Sequence, residues 1–460
     1  MKQLKDISGI YFIGIGGIGM SALARYFNFH GKRVSGYDKT ETTLTKTLTD
    51  EGISIHYTDD ISLAPKDVDL VVYTPAVPAN HLELNYYRDN DYELLKRSDV
   101  LGIITKGTFN IAIAGTHGKT TITTMVAHIL RHSGYGCNAF LGGISVNYNS
   151  NFWSDKRNVS VIEADEYDRS FLKLSPDIAV ITALDADHLD IYGDESTMQD
   201  AFIEFSGKLK AGGLLITRHG LPQSERFHAE KHLTYSLDNT GADIHCEKIT
   251  MNNGSYNFSV KAKSWFLDNV ALNMGGAHNI ENMTAAITVA HELGIEDNKI
   301  RAAVEAFKGV KRRFEYQVKT DMMVYVDDYA HHPEELRALI EGAKSLFPNF
   351  HCVIIFQPHL FTRTRDFASE FAASLDLADE TILLPVYPAR ELPIDGVNTE
   401  MVVRMMNQKG VKVLDKSAVV GYLRSDLLPQ RKSDKLLIIT AGAGDIDTIV
   451  QPVRNLLNDL

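Results

Sequence analysis

The chain is poor in cysteine: Cys137, Cys246 and Cys352 are the only three in 460 residues, an odd number set far apart with no C-x-x-C pair. That excludes a disulfide framework and a cysteine-based zinc site, and makes a reducing cytoplasm the expected compartment. Nowhere do about 18 consecutive apolar residues occur, so no membrane-spanning helix is expected. Basic charge is also in short supply, with 47 Lys+Arg against 59 Asp+Glu and a formal net charge of -12, which argues against broad attraction to nucleic acid. Internal repeats and low-complexity tracts are missing. Lys2 and Lys5 ahead of the apolar run Ile10–Met20, with Ser21-Ala22-Leu23-Ala24 behind it, imitate a secretion signal. The glycines at 14, 16, 17 and 19 inside that run have a better explanation.

What remains is ordinary globular material, 44% hydrophobic and 23% charged, and at about 150 residues per domain the length suits about three domains. Apolar runs alternate with amphipathic segments: Ile10–Ile15, a helix from about Gly17 to His30, Arg33–Tyr37, then Leu70–Thr74. Such alternation predicts βαβ units and a parallel sheet. A second set opens with Asn110–Ala114, a glycine turn and a helix from Lys119 to Arg131, and continues through strands at Val159–Glu163 and Ile178–Leu184. Between about Leu233 and Asn273, short alternating strands with turn signals such as Asn252-Asn253-Gly254 predict an antiparallel patch, closed by a helix from about Asn279 to Leu293. After Lys311-Arg312-Arg313 a third set begins, with strands at Met323–Asp327, Cys352–Phe356, Thr381–Leu384 and Leu436–Thr440. The expected fold is α/β in three domains, at 1–107, 108–310 and 311–460.

The strongest local signal is Gly115-Thr116-His117-Gly118-Lys119-Thr120-Thr121, directly after an apolar strand and opening a helix. Glycines let backbone N–H groups approach phosphate oxygens, Lys119 can reach the β and γ phosphates, and Thr120 can place its hydroxyl on Mg²⁺. Ile113 stands where the general pattern has its first glycine, so the loop is a variant. A metal needs further ligands, and two apolar strands supply them at their ends: one finishes in Glu163, the other leads into Asp187-His188. Taken alone, either acidic run reads as a solvated loop.

Gly14-Ile15-Gly16-Gly17-Ile18-Gly19 fits the dinucleotide turn, and Asp38 follows 19 positions after the last glycine. By itself this suggests NAD, but any diphosphate-bearing nucleotide can use the same helix N-terminus. Two nucleotide sites, one for a diphosphate and one for a triphosphate, is the economical reading.

These pieces, in this order, resemble the Mur ligases over essentially the whole chain. The likeness rests on both glycine turns, on Glu163-Ala164-Asp165-Glu166, on Ala186-Asp187-His188-Leu189-Asp190 and on His278-Asn279-Ile280-Glu281-Asn282. It continues through Arg312-Arg313-Phe314-Glu315, Asp327-Asp328-Tyr329-Ala330-His331-His332-Pro333 and Gln357-Pro358-His359-Leu360-Phe361-Thr362-Arg363. Ile113 is itself what this family looks like. The resemblance implies a Rossmann-like amino-terminal domain for a UDP-sugar, a central phosphate-loop ATPase domain with the antiparallel patch, and a Rossmann-like carboxy-terminal domain for an amino acid.

Within the family, the likeness is to the members that join L-alanine to the lactyl carboxylate of UDP-N-acetylmuramate through an acyl phosphate, in the cytoplasmic part of peptidoglycan synthesis. It implies ATP and two Mg²⁺ as cofactors, with no nucleic-acid or membrane partner. Lys119 and the Gly115–Thr121 backbone would hold ATP, with Asn279 on the adenine and Arg313 on phosphate. Thr120 and Glu163 would hold one Mg²⁺ and His188 a second, although Mg²⁺ prefers oxygen to imidazole. Gly14, Gly16, Gly17, Ile18, Gly19 and Asp38 would form the UDP-sugar site. Arg363 would bind the alanine carboxylate, with Tyr329 and His359 shaping the pocket and Leu360 standing where some relatives carry a basic residue. On residues alone, Asn279 also reads as a helix cap, 311–313 as a solvated basic run, and Arg363 with Arg365 as an exposed charge pair. His331 and His332 make a poor chelate, since adjacent side chains on an extended segment point apart, and Pro333 reads as the first turn of a helix. The rival readings are a recycling ligase that adds a ready-made tripeptide, a nicotinamide-dependent oxidoreductase, and a non-catalytic nucleotide-binding regulator.

Overall fold

Apolar runs bounded by glycine and polar turns form the strands that the alternation predicts. The computed structural model describes residues 6–185, 189–252, 254–389 and 391–459. Its strand Gly9–Ile13 is wholly buried, as a strand covered on both faces must be. It is the centre of a five-stranded parallel sheet, flanked by Arg33–Tyr37 and Leu70–Tyr73. The outer strands Ser54–His56 and Leu94–Lys96 complete it, each too short for periodicity to reveal. The helix Ile18–Phe29 turns Met20, Leu23, Ala24 and Phe27 to the core.

The second sheet has ten strands, with Phe109–Ala114 paired in parallel to Val159–Glu163 on one side and Ile178–Ile181 on the other. One edge is an antiparallel hairpin of Asn138–Ser145 and Ser150–Trp153, whose register slips between Phe140 and Ser145. At the other edge Ile244–Asn252, Ser255–Ala262 and Phe266–Leu272 are successive neighbours. Connections this short allow only antiparallel pairing. Ile244–Asn252 itself runs parallel to Lys231–Ser236, so the antiparallel patch begins at Ile244 rather than at Leu233. The third sheet has six strands, with Glu315–Lys319 antiparallel to Met323–Asp328 and the others parallel.

The chain gathers into two compact units. One holds the described residues of Met1–Glu247, Ser259–Val270 and Glu281–Ala306; the other holds those of Lys248–Phe258, Ala271–Ile280 and Phe307–Leu460. In the first, one apolar core runs from Phe12 and Leu23 through Ala112 to Phe152 and Phe202. In the second, Tyr325, Ile355, Ile438 and Val453 belong to one core. Among the described residues, no helix is long and apolar enough to cross a membrane.

Candidate active site

The strand Phe109–Ala114 releases the chain at Gly115, where a φ of +128° and the packing of Thr182 admit no side chain. Ile113 is a fully buried strand residue in register with Glu163, so the loop starts two residues later than the general pattern and needs no glycine there. Gly118 caps the helix Lys119–His132 without a side-chain acceptor, which leaves the first helical amides to a ligand. Thr116 N–H donates to Ala183 O at 3.0 Å, and Thr116 Oγ1 accepts from Asp185 N–H at 3.2 Å. His117 is exposed, 3.8 Å from Asp185, while Thr121 is buried on the helix.

Lys119 Nζ donates to Gly115 O at 2.7 Å and to Glu166 Oε1 at 2.6 Å. Glu166 is fully buried; burial pushes its carboxyl up, and the Lys119 ammonium opposes that shift. Thr120 Oγ1 donates to Glu163 Oε1 at 3.1 Å, and Gly142 N–H donates to Glu163 Oε2 at 3.1 Å. A β-carbon at Gly142 would collide with that carboxylate. The hydroxyl and carboxylate oxygens of Thr120 and Glu163 are the donor type a hard dication takes. His188, together with Ala186 and Asp187, lies outside the described residues.

In the amino-terminal turn, Gly14 and Ile15 N–H donate to Tyr37 O at 2.8 and 3.0 Å. Gly16 N–H donates to Asp38 Oδ2 at 2.7 Å, so the acidic residue predicted from spacing does meet the turn. Gly17 caps the helix Ile18–Phe29 with no side chain, and the amides of Ile18 and Gly19 open it. Asn151, fully buried on the hairpin, donates to Ile18 O at 2.6 Å and to Ser21 Oγ at 2.9 Å, and accepts from Arg25. The hairpin that carries Gly142 thus also anchors the glycine-turn helix.

In the second unit the basic run is held by protein partners. Arg312, at φ +60°, lies 3.3 Å from the Asp327 carboxylate and donates to Gly442 O, and both Arg312 and Arg313 lie over the Tyr329 ring, each 5.3 Å from its centroid. It is not a uniformly solvated stretch. Asn279 is buried in the first turn of Ala277–Glu292 and donates back to Gly275 O at 2.6 Å, inside the helix rather than at its cap. The rings of Tyr329, His331, His359 and Tyr387 follow one another with centroids 5.3, 6.1 and 5.8 Å apart. Beside them Leu360, at φ +72°, starts the short helix Phe361–Asp366 that carries Arg363.

Arg363 Nη1 and His359 Nδ1 are buried without a hydrogen-bond partner among the described residues. A buried guanidinium N–H with no acceptor is costly, and a carboxylate is its complement. Arg363 is therefore no exposed partner for Arg365, which pairs with Asp366. Burial, reinforced by Arg363, pushes His359 below the usual imidazole range, and burial does the same to His331, so both are neutral at pH 7. The backbone N–H groups of His331 and His332 both donate to Glu335, closing the start of Pro333–Leu346, as Pro333 predicts.

Three residues of these clusters escape sequence reasoning. Glu166 is hidden in an acidic run that reads as solvated, Gly142 in a strand whose glycine pair blurs its alternation, and Tyr387 in a loop with no pattern.

Three family models match the chain in succession: "Mur ligase family, catalytic domain" over residues 9–108, "Mur ligase middle domain" over 113–290, and "Mur ligase, glutamate ligase domain" over 312–444. The UDP-N-acetylmuramate–L-alanine ligase of Cytophaga hutchinsonii is 48% identical, with 98% of this chain and 97% of that protein covered. That of Flavobacterium psychrophilum is 46% identical over 99% of this chain and 100% of its own. Among solved structures, the UDP-N-acetylmuramate–alanine ligase of Thermotoga maritima superposes with a TM-score of 0.82 at 28% identity, covering 98% of this chain and 99% of that one. A murein peptide ligase of Psychrobacter arcticus shares the fold, with a TM-score of 0.67 at 23% identity, covering 98% of this chain and 99% of that one.

Proposed function

The chain belongs to the Mur ligase family, and from that membership and the geometry above we infer that it joins L-alanine to the lactyl carboxylate of UDP-N-acetylmuramate, with ATP converted to ADP and phosphate. The observation that carries the reading is the phosphate loop with Lys119 set against Glu166 and Thr120 against Glu163. An oxidoreductase has no use for it.

A carboxylate is a poor electrophile. Its oxygen attacks the γ-phosphorus, ADP leaves, and an acyl phosphate forms; the alanine amine then adds to the acyl carbon, gives up a proton, and phosphate departs. Positioning and charge neutralisation carry such chemistry. Lys119 and the Gly115–Thr121 backbone hold the triphosphate, with Asn279 on the adenine and Arg313 on phosphate. Thr120 and Glu163 offer the oxygens for one Mg²⁺, and His188 is assigned to a second. Bound Mg²⁺ neutralises phosphate charge during transfer. The Gly14–Gly19 turn, including Gly16, Gly17 and Ile18, takes the UDP-sugar with Asp38 beside it. Arg363 takes the alanine carboxylate in a fork, and neutral His359 and His331, with Tyr329, line the pocket.

We assign these roles to segments 1–107, 108–310 and 311–460, which the successive family matches support, and the reaction to the cytoplasm, where ATP and nucleotide sugars are made. The test is purified protein with Mg-ATP, UDP-N-acetylmuramate and, in separate arms, L-alanine, glycine, L-serine or the tripeptide, reading phosphate release and product mass. Alanine should be used fastest, with slow turnover of glycine and serine, because one methylene or hydroxyl discriminates weakly. Consumption of the tripeptide without alanine turnover would overturn the assignment.

A further inference from the structure

We propose that Arg97 grips the diphosphate of the UDP-sugar, an inference that rests on the reading of the Gly14–Gly19 turn just given. Arg97 is the first residue of the helix Arg97–Gly107, directly after the strand Leu94–Lys96. The helix dipole disfavours a cation at that position, so the helix itself gains nothing from it. Its side chain reaches back over the glycine turn: Cδ and Nη1 lie 3.0 Å from the point where a β-carbon on Gly19 would stand. The guanidinium thus lies beside the first turn of the helix to which the turn assigns the diphosphate, and a side chain at 19 would have to push it aside by a few tenths of an ångström.

On the other side, Nη2 lies 3.5 Å from Asp165 Oδ2, with both side chains partly exposed. That is a loose pair, beyond good hydrogen-bond length and open to solvent. The same side chain lines a small cleft of about 10 Å³, room for about one water, together with Glu163, Asp165 and Ser170. Arg97 therefore stands between the turn assigned to the diphosphate and the carboxylate assigned to metal. A planar fork of N–H donors, weakly held and beside the amides of Ile18 and Gly19 that open the helix, matches a phosphate better than it matches Asp165.

The test is calorimetric binding of two probes to wild type, Arg97→Gln and Arg97→Lys. UDP-N-acetylmuramate carries diphosphate and lactyl carboxylate; UDP-N-acetylglucosamine carries the diphosphate alone. Arg97→Gln should weaken both by the same factor, about 10- to 100-fold, the loss expected for charged hydrogen bonds. Arg97→Lys should weaken both by less, because it keeps the charge and loses the fork. A non-hydrolysable ATP analogue should bind all three proteins alike. Unchanged sugar binding by Arg97→Gln overturns the proposal, and so does weakening confined to UDP-N-acetylmuramate, which would put Arg97 on the carboxylate. Parallel loss of ATP-analogue binding overturns it too, as the mark of a folding role. Wild-type protein that binds neither probe instead overturns the parent reading of the turn.

Discussion

Lys119 Nζ stands 2.6 Å from a carboxylate oxygen of Glu166, and that carboxylate is wholly shielded from solvent. The lysine assigned to phosphate is therefore also the counter-charge of a buried acid. Lys119→Ala should lower phosphate release by about 10²- to 10³-fold, the range for removing a preorganised charge stabiliser. It should also cost about 3 kcal/mol of stability, because the buried carboxylate loses its counter-charge. Adding Glu166→Gln to that variant should restore most of the stability and none of the activity, as read by urea unfolding beside the turnover assay. Full activity in Lys119→Ala would remove the phosphate role.

Gly142 touches Glu163 Oε2 through its N–H, with no room for a β-carbon. Gly142→Ala should push the carboxylate aside and raise the Mg²⁺ concentration for half-maximal activity by about tenfold or more, the usual effect of disturbing a group that orients a metal ligand. A magnesium titration of steady-state rate measures this, and an unshifted midpoint would separate Glu163 from the metal.

Arg363 carries a buried N–H that lacks an acceptor among the described residues. Arg363→Ala should raise the KM for L-alanine by about 10²-fold while leaving that for ATP in place, and Arg363→Lys should recover little, since a point charge does not reproduce the two-pronged contact. Equal shifts in both KM values would argue for a general structural role.

Asp327 is 1% exposed, and burial pushes its carboxyl up to about 7 in spite of Arg312 and a hydrogen bond from Thr440. In the unfolded chain the group returns to about 3.9. Between those values the folded protein keeps a proton that the unfolded chain has lost. Its contribution is complete below about pH 4 and is lost as pH rises through 7. Asp327→Asn has no such titration, so its stability relative to wild type should improve by about 2 kcal/mol from pH 5 to pH 8. Denaturation at both pH values measures it, and a difference that stays constant would contradict the assignment.

The strands that sequence reading finds are those whose burial shows in composition. Val159–Glu163 and Arg33–Tyr37 begin and end where the apolar pattern does. The hairpin Asn138–Ser145 and Ser150–Trp153 escapes because its register slip breaks the alternation. The phosphate loop is legible because backbone chemistry forces glycine at fixed places. Its partner Glu166 is not, since nothing in an acidic run tells a solvated carboxylate from one folded under a lysine. Arg363 could be named from its motif, but its isolation from protein acceptors is a property of packing alone.

Asp38 already holds Gly16 N–H at 2.7 Å, so the glycine turn comes with a resident anion of its own. On the proposed reading, Asp38 stays beside the sugar nucleotide and keeps that amide occupied, so the diphosphate is left the amides of Ile18 and Gly19 that open the helix. Any other anion that approaches the turn meets the same fixed negative charge.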